Sequence, residues 1–206
     1  AEVYNLSSLT VTVGSSDNGY VGYYAKVVYT SLSEPSRLQT IDNVIYYVNG
    51  NDFIVQSLAS RDVTSVTLDS RTTEIGRDAF YYCSNLTSIM LPDSITSIDM
   101  YAFEEQALTD VVVPASVKKF GTKAFGSMPT LLRFTYEGEG YADVTDGVLY
   151  NCYNLRYFKG ITRMLSYNDA LDSVIVTYGY ASTNFTKLSY IDNTHAYDTR
   201  LTGKYD

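Results

Sequence analysis

The chain lacks tryptophan and has little cysteine, histidine or proline. Its 206 residues include two cysteines, one histidine and four prolines. A zinc site needs several histidine or cysteine ligands at close spacing, and the few such residues here are widely scattered. Ser-His-Asp or Cys-His catalysis would depend on His195 alone, and no Gly-x-Ser-x-Gly turn accompanies it. We therefore expect no metal, no cofactor and no enzymatic activity. Paired carboxylates for glycoside hydrolysis remain the open alternative, since any two of the 23 acidic residues could converge.

Positive charge and long apolar runs are also scarce. The chain has 15 Lys and Arg residues against 23 Asp and Glu residues, a net charge of −8, which repels the phosphate backbone of nucleic acids. No stretch reaches the roughly 18 consecutive apolar residues of a transmembrane helix. We expect neither a nucleic-acid partner nor membrane insertion. The first residue is Ala1 and not Met, which indicates either a processed mature protein or a trimmed chain, and in both cases we expect that a signal or lipid anchor has been removed.

Residues typical of β-strands are abundant. There are 21 tyrosines, and Val, Ile and Thr are frequent throughout. With 45% hydrophobic and 18% charged residues, the composition is that of a folded protein. We expect a mostly β structure that forms one folding unit.

The middle of the chain contains an internal repeat. Segments of similar sequence begin at spacings of 23, 22 and 23 residues, at Val63, Leu86, Leu108 and Leu131. Apolar residues at positions 1, 4 and 6 of each segment predict a short strand. Units of this length are too short to bury an apolar face alone, so successive units must stack. The repeat therefore predicts a solenoid in which corresponding strands form a parallel sheet.

A second block keeps the same phase. It reads Ile-x-x-x-Ala-Phe or Phe-x-x-x-Ala-Phe at residues 75–80, 98–103 and 120–125, and a degenerate copy at 144–149 leads into 154–158. A Pro or polar turn precedes the block and can end the strand. We expect a short helical turn to follow, with the small Ala allowing close approach to the sheet. Phe80, Phe103 and Phe125 should then stack as an aromatic column inside the coil.

These segments resemble the BspA-like leucine-rich repeats of bacterial surface proteins. The resemblance is carried by LTSIMLPDSITSIDMYAF and AFYYCSNLTSI within residues 63–125, and more weakly by 146–150. It implies a leucine-rich-repeat solenoid, mostly β with short helical turns, with a parallel β-sheet on its concave face. It also implies an extracellular or cell-surface adhesion module whose partner is a host or bacterial surface protein or glycan.

Flanking segments should close the ends of the solenoid as β-hairpin caps. Residues 1–62 predict one hairpin from 9–13 and 20–30 and another from 44–48 and 53–58. Residues 160–206 form the C-terminal cap, with strands expected at 173–180 and 187–191. The repeats between them span 63–159.

Several polar and sulfur-bearing residues recur at one phase of the repeat. Cys83 and Cys152 lie three coils apart, roughly 14 Å at the usual strand spacing, so we expect two buried free thiols and no disulfide. Asn85 and Asn154 precede strands, where their amides can satisfy backbone groups of the turn. The side chain of Glu104, like that of its neighbour Glu105, is expected to face solvent.

The outward-facing strand residues form the predicted binding surface, here called the outward row. Its members are Ser65, Thr67, Ser88, Met90, Asp110, Val112, Arg133, Thr135, Tyr157 and Lys159. Repeat proteins commonly bind extended partners on such a sheet, and Arg133 and Tyr157 are the expected anchors. Two alternatives stay open: the outward row is merely solvated, or the protein is a carbohydrate-binding module that uses surface tyrosines.

Overall fold

The computed structural model describes residues 2–33, 36–139 and 141–165 and the backbone of three later strands. The strands are β1 (Glu2–Tyr4), β2 (Val27–Tyr29), β3 (Leu38–Ile41), β4 (Val44–Asn49), β5 (Asp52–Leu58), β6 (Ser65–Thr67), β7 (Glu74–Ile75), β8 (Ser88–Met90), β9 (Ser97–Ile98), β10 (Asp110–Val113), β11 (Lys119–Phe120), β12 (Arg133–Tyr136), β13 (Asp143–Val144), β14 (Tyr157–Ile161), β15 (Ile175–Tyr180), β16 (Ser189–Ile191) and β17 (Ala196–Asp198). Helical structure in the described residues is limited to one turn at Asp17–Tyr20 and a 3₁₀ helix at Thr162–Leu165.

The predicted parallel sheet is confirmed, and we call it the first ladder. Strand β6 pairs in parallel with β8, and β10, β12, β14 and β15 pair in parallel in that order. Strands β8 and β10 are neighbours but are not joined by ladder hydrogen bonds. This break coincides with the one 22-residue step of the repeat, between Leu86 and Leu108.

A second parallel ladder runs along another side of the coil, and the sequence did not predict it. It pairs the two-residue strands β7, β9, β11 and β13 in unbroken order, at the start of each Ile-x-x-x-Ala-Phe block or its equivalent. Strand β5 continues this ladder in parallel, and β4 and β3 then add to it in antiparallel pairing. Each coil therefore contributes one strand to the first ladder and one strand to the second ladder.

Where short helical turns were predicted, each coil makes consecutive tight turns instead. The residues at two equivalent positions in every unit take positive φ angles of 52 to 74°: Asp78, Tyr101, Lys123 and Gly147 in the first position, and Tyr82, Glu105, Ser127 and Asn151 in the second. The turns direct backbone N–H groups at the next coil, as where Phe103 N donates to Ala124 O at 2.7 Å. A helix would bond these donors within the coil. The turns therefore tie neighbouring coils together.

The core of the solenoid is a set of residue columns, as predicted. Phe80, Phe103 and Phe125 are fully buried, and their ring centroids are 4.9 Å apart at each step with interplanar angles of 14° and 2°. Phe134 and Phe158 of the first ladder stack at 6.0 Å. The predicted aromatic column is confirmed.

The N-terminal flank is partly as predicted. The hairpin predicted near 44–58 is confirmed, since β4 and β5 pair in antiparallel register with Asn49 opposite Asp52. The hairpin of 9–13 with 20–30 is wrong, because β1 and β2 pair in parallel and the chain between them forms a loop. Left-handed Gly14, whose N–H bonds to Gly22 O at 2.9 Å, prevents a continuous strand there.

The strands predicted at 173–180 and 187–191 correspond to β15 and β16. Strand β15 continues the first ladder beside β14, and β16 pairs with β17 as an antiparallel hairpin. In the part of the chain that the structure describes, no helix has the length and apolar character needed to cross a membrane.

Candidate binding surface

All ten residues of the outward row lie at the surface of the first ladder. Each strand alternates, so Val66, Val111 and Phe134 point into the core while their neighbours point outward. Thr135 and Lys159 are half-buried, and the other eight are exposed. The side chains of the outward row are thus accessible to solvent, and their binding role remains a prediction.

The middle of the outward row holds three side chains in one register. Asp110, Arg133 and Tyr157 lie opposite one another on β10, β12 and β14. Arg133 Nε is 3.6 Å from Asp110 Oδ1, and the guanidinium carbon is 4.7 Å from the centroid of the Tyr157 ring. Cation–π contact and charge pairing therefore hold an exposed Arg side chain against the sheet. The terminal guanidinium nitrogens have no hydrogen-bond partner among the described residues.

Apolar side chains lie on both sides of the break in the first ladder. Met90 on β8 is 66% exposed and Val112 on β10 is 55% exposed. Leu132, which immediately precedes β12, is also exposed. The strand pattern did not identify it because it lies before the alternating positions. Exposed apolar groups next to an Arg and a Tyr are typical of contact surfaces.

The two cysteines are buried and free, as predicted. They occupy equivalent positions of their units, where Gln106 and Met128 lie in the units between. Burial raises the pKa of the Cys152 thiol to about 12 and raises that of Cys83 as well. Both thiols therefore stay protonated near neutral pH and pack as small apolar groups.

The structural role predicted for the two asparagines is confirmed. Asn85 Nδ2 donates to Arg61 O at 3.4 Å and Asn154 Nδ2 donates to Pro129 O at 2.6 Å, in each case a carbonyl of the preceding coil. These bonds satisfy backbone carbonyl groups for which the turn itself provides no hydrogen-bond donor.

The prediction that Glu104 faces solvent is wrong. Its side chain is 12% exposed and lies 3.9 Å from Lys123 Nζ, which also rests over the Tyr150 ring. Burial raises the pKa of Glu104, and the nearby Lys123 only partly offsets that rise. Glu105 is half-buried.

Acidic side chains and His195 were the candidates for a metal or catalytic site. Within the described ranges, no three His, Cys, Asp or Glu side chains come together as a metal centre requires. Asp143 is a strand residue of β13, and Asp146 accepts a hydrogen bond from Arg163 Nε at 2.8 Å. His195 lies outside the described residues.

The repeats match a known family. Residues 56–169, more than half of the chain, match the BspA type leucine rich repeat region in six copies. No curated protein has a sequence that matches the chain.

Solved structures share this architecture. A leucine-rich repeat protein from Eubacterium ventriosum is 21% identical with a TM-score of 0.56, covering 86% of this chain and 49% of that protein. The leucine rich repeat protein of T. pallidum is 16% identical with a TM-score of 0.50, covering 68% and 85%. A leucine rich cell surface protein from Faecalibacterium prausnitzii is 26% identical with a TM-score of 0.42, covering 63% and 41%. The chain thus spans about half of the E. ventriosum protein, and the first two similarities show the same fold.

Proposed function

This chain belongs to the BspA-type leucine-rich repeat family, and on that premise we propose that it is a non-enzymatic interaction module that binds a surface protein through the outward row. The observation that carries the proposal is the Asp110–Arg133–Tyr157 cluster at the centre of the first ladder. Arg and Tyr are the residue types most often found at the energetic centres of protein interfaces.

The geometry of the cluster lowers the conformational entropy that the Arg133 side chain loses when a partner binds. Arg133 normally loses much rotamer freedom when a partner fixes it, at a cost of about 0.5 to 1.5 kcal/mol. Here Asp110 and the Tyr157 ring already restrict the guanidinium before any partner arrives. The unused guanidinium nitrogens are suited to a carboxylate, which Arg binds in a bidentate manner. A complementary partner would present an acidic group to Arg133 and apolar groups to Met90 and Val112.

We propose that this module acts at the cell surface or outside the cell, a proposal that the family resemblance supports. The net charge of −8 disfavours nucleic acid as the partner. Repeat surfaces bind extended ligands across several units, and the outward row crosses five strands of the first ladder.

The test is binding of the purified chain to an array of matrix proteins, mucins and polysaccharides. The double variant Arg133→Ala/Tyr157→Ala should fold normally, since both side chains are exposed, and should lose specific binding. A matched control, Arg61→Ala/Tyr141→Ala, changes the same residue types away from the strands of the outward row and should bind like the original. Binding that survives the first double variant, or no binding to any protein on the array, would contradict the proposal.

The alternative function is carbohydrate binding by surface tyrosines. A specific observation favours it, since Tyr20, Tyr23 and Tyr24 form a chain of edge-to-face contacts with centroids 5.6 and 4.8 Å apart in the N-terminal loop. On the array, this alternative predicts binding to polysaccharides that depends on a single tyrosine.

A further inference from the structure

We propose that the cleft between the N-terminal loop and the second ladder is a binding site for a short neutral saccharide. The inference deepens the carbohydrate-binding alternative and does not depend on the outward row, with which the cleft shares no residue.

The N-terminal loop is the part of the chain between β1 and β2. The cleft lies where this loop passes over the outer face of the sheet that contains the second ladder. Tyr24 and Lys26 line it from the loop, and Gln56, Arg77 and Asp78 line it from β5 and the turn after β7. Its volume is about 660 Å³, within the range of about 300 to 1,000 Å³ that is usual for small-ligand sites. Lys26 Nζ is 3.9 Å from Glu74 Oε1 on β7, and this ion pair joins the loop to the second ladder.

The polar groups of the cleft are only partly used within the protein. The Asp78 carboxylate accepts no hydrogen bond from any described residue, and burial raises its pKa. The only hydrogen bond from the Arg77 guanidinium to a described residue goes to the weak acceptor Met100 Sδ, at 3.0 Å. The cleft therefore contains, side by side, a carboxylate that can accept further hydrogen bonds and a guanidinium that can donate them.

The combination of groups selects the class of ligand. Two acidic residues, Asp78 and Asp99, and two basic residues, Arg77 and Lys26, line the cleft. Their charges balance, so the lining has no net charge that would favour an anionic or a cationic ligand over an uncharged one. Sugar hydroxyls both donate and accept hydrogen bonds, which matches adjacent carboxylate, guanidinium and amide groups. The C–H face of a sugar ring packs on an aromatic ring, and Tyr24, 62% exposed, offers one at the cleft wall. A neutral saccharide can use the carboxylate, the guanidinium and the aromatic ring at once, and we assign the cleft to this ligand class on that basis.

The test uses maltotriose, cellotriose, xylotriose, lactose and N,N′-diacetylchitobiose as probes of the full chain. Saturation-transfer difference NMR detects binding, and titration calorimetry measures its strength. The variant Tyr24→Ala removes the ring, and Asp78→Asn removes the charge while keeping a residue type that tolerates the φ of 57° at this position. Each should weaken binding of the recognised probe by roughly tenfold or more.

Two controls separate this site from others. Tyr141→Ala removes a tyrosine outside the cleft that is even more exposed than Tyr24, and it should leave sugar binding unchanged. Arg133→Ala/Tyr157→Ala should also leave it unchanged. Sugar binding that survives both cleft variants would overturn this site while keeping the carbohydrate-binding function. Failure of all five probes to bind would overturn both the saccharide site in the cleft and the carbohydrate-binding function. The proposed protein interaction of the outward row would still be decided by its own test.

Discussion

Replacing Phe103 with Ala tests whether the aromatic column holds the coils together. Phe103 is fully buried between Phe80 and Phe125, with 4.9 Å between ring centroids on each side. A buried Phe→Ala change costs about 3 to 5 kcal/mol through lost burial and the cavity left behind. Each stacked pair adds about 0.5 to 1.5 kcal/mol. The middle ring loses two such pairs, so we expect a cost near the upper end of the range.

The assay is urea unfolding monitored by circular dichroism, with thermal melting as a second measure. Unfolding entropy of about 2.1 cal/mol/K per residue, applied to 206 residues, converts about 5 kcal/mol into a fall in melting temperature of roughly 12 °C. Phe80→Ala is the matched comparison, because its ring stacks on Phe103 alone in this column. Tyr141→Ala, at an 86% exposed position, should change neither measure. The reasoning is refuted if Phe103→Ala costs no more than Phe80→Ala, or less than about 1 kcal/mol.

Two further predictions concern buried titratable groups. Burial raises the pKa of Cys152 to about 12 and raises that of Cys83 as well. Neither thiol should therefore react with 5,5′-dithiobis(2-nitrobenzoate) at pH 8 until denaturant is added. Rapid release of one equivalent of thionitrobenzoate from the native chain would contradict this prediction. Burial also raises the pKa of Glu104 above its ordinary value of 4.5, so this group costs stability as pH rises through and above that value. Glu104→Gln should therefore have a higher melting temperature than the unsubstituted chain at pH 7 and the same melting temperature below about pH 4. A lower melting temperature of the variant at pH 7 would show that the Lys123 contact outweighs the cost of burial.

The first ladder was predictable because its signals are strong in the sequence. Apolar residues alternate within each unit, and the same pattern returns after 22 to 24 residues. The outward row followed from the same alternation, and the structure exposes or half-exposes every one of its members.

The second ladder was not predictable by this reasoning, because its strands are only two residues long. A two-residue strand such as Glu74–Ile75 has no measurable alternation. Its pairing depends on partners in the neighbouring coil, and the turns that follow it use left-handed residues such as Tyr101 that carry no glycine signal.

The cleft was missed for a different reason. Its lining comes from the N-terminal loop, from β3, β4 and β5, and from the turns after β7 and β9, which are far apart in the sequence. The alternation of residues 9–13 favoured a hairpin that does not form, so the loop was expected to pair with itself and not to pass over the second sheet.

The break between β8 and β10 shows how such a chain can change length. The segment between Phe103 and Leu108 is one residue shorter than the segments between Phe80 and Leu86 and between Phe125 and Leu131. The second ladder and the aromatic column continue through this unit, while the first ladder loses its pairing beside it. Gain or loss of one whole coil during evolution would keep every column and both ladders in register, whereas a single-residue deletion interrupts one of them. Evolution of this architecture therefore proceeds most readily in steps of a complete coil.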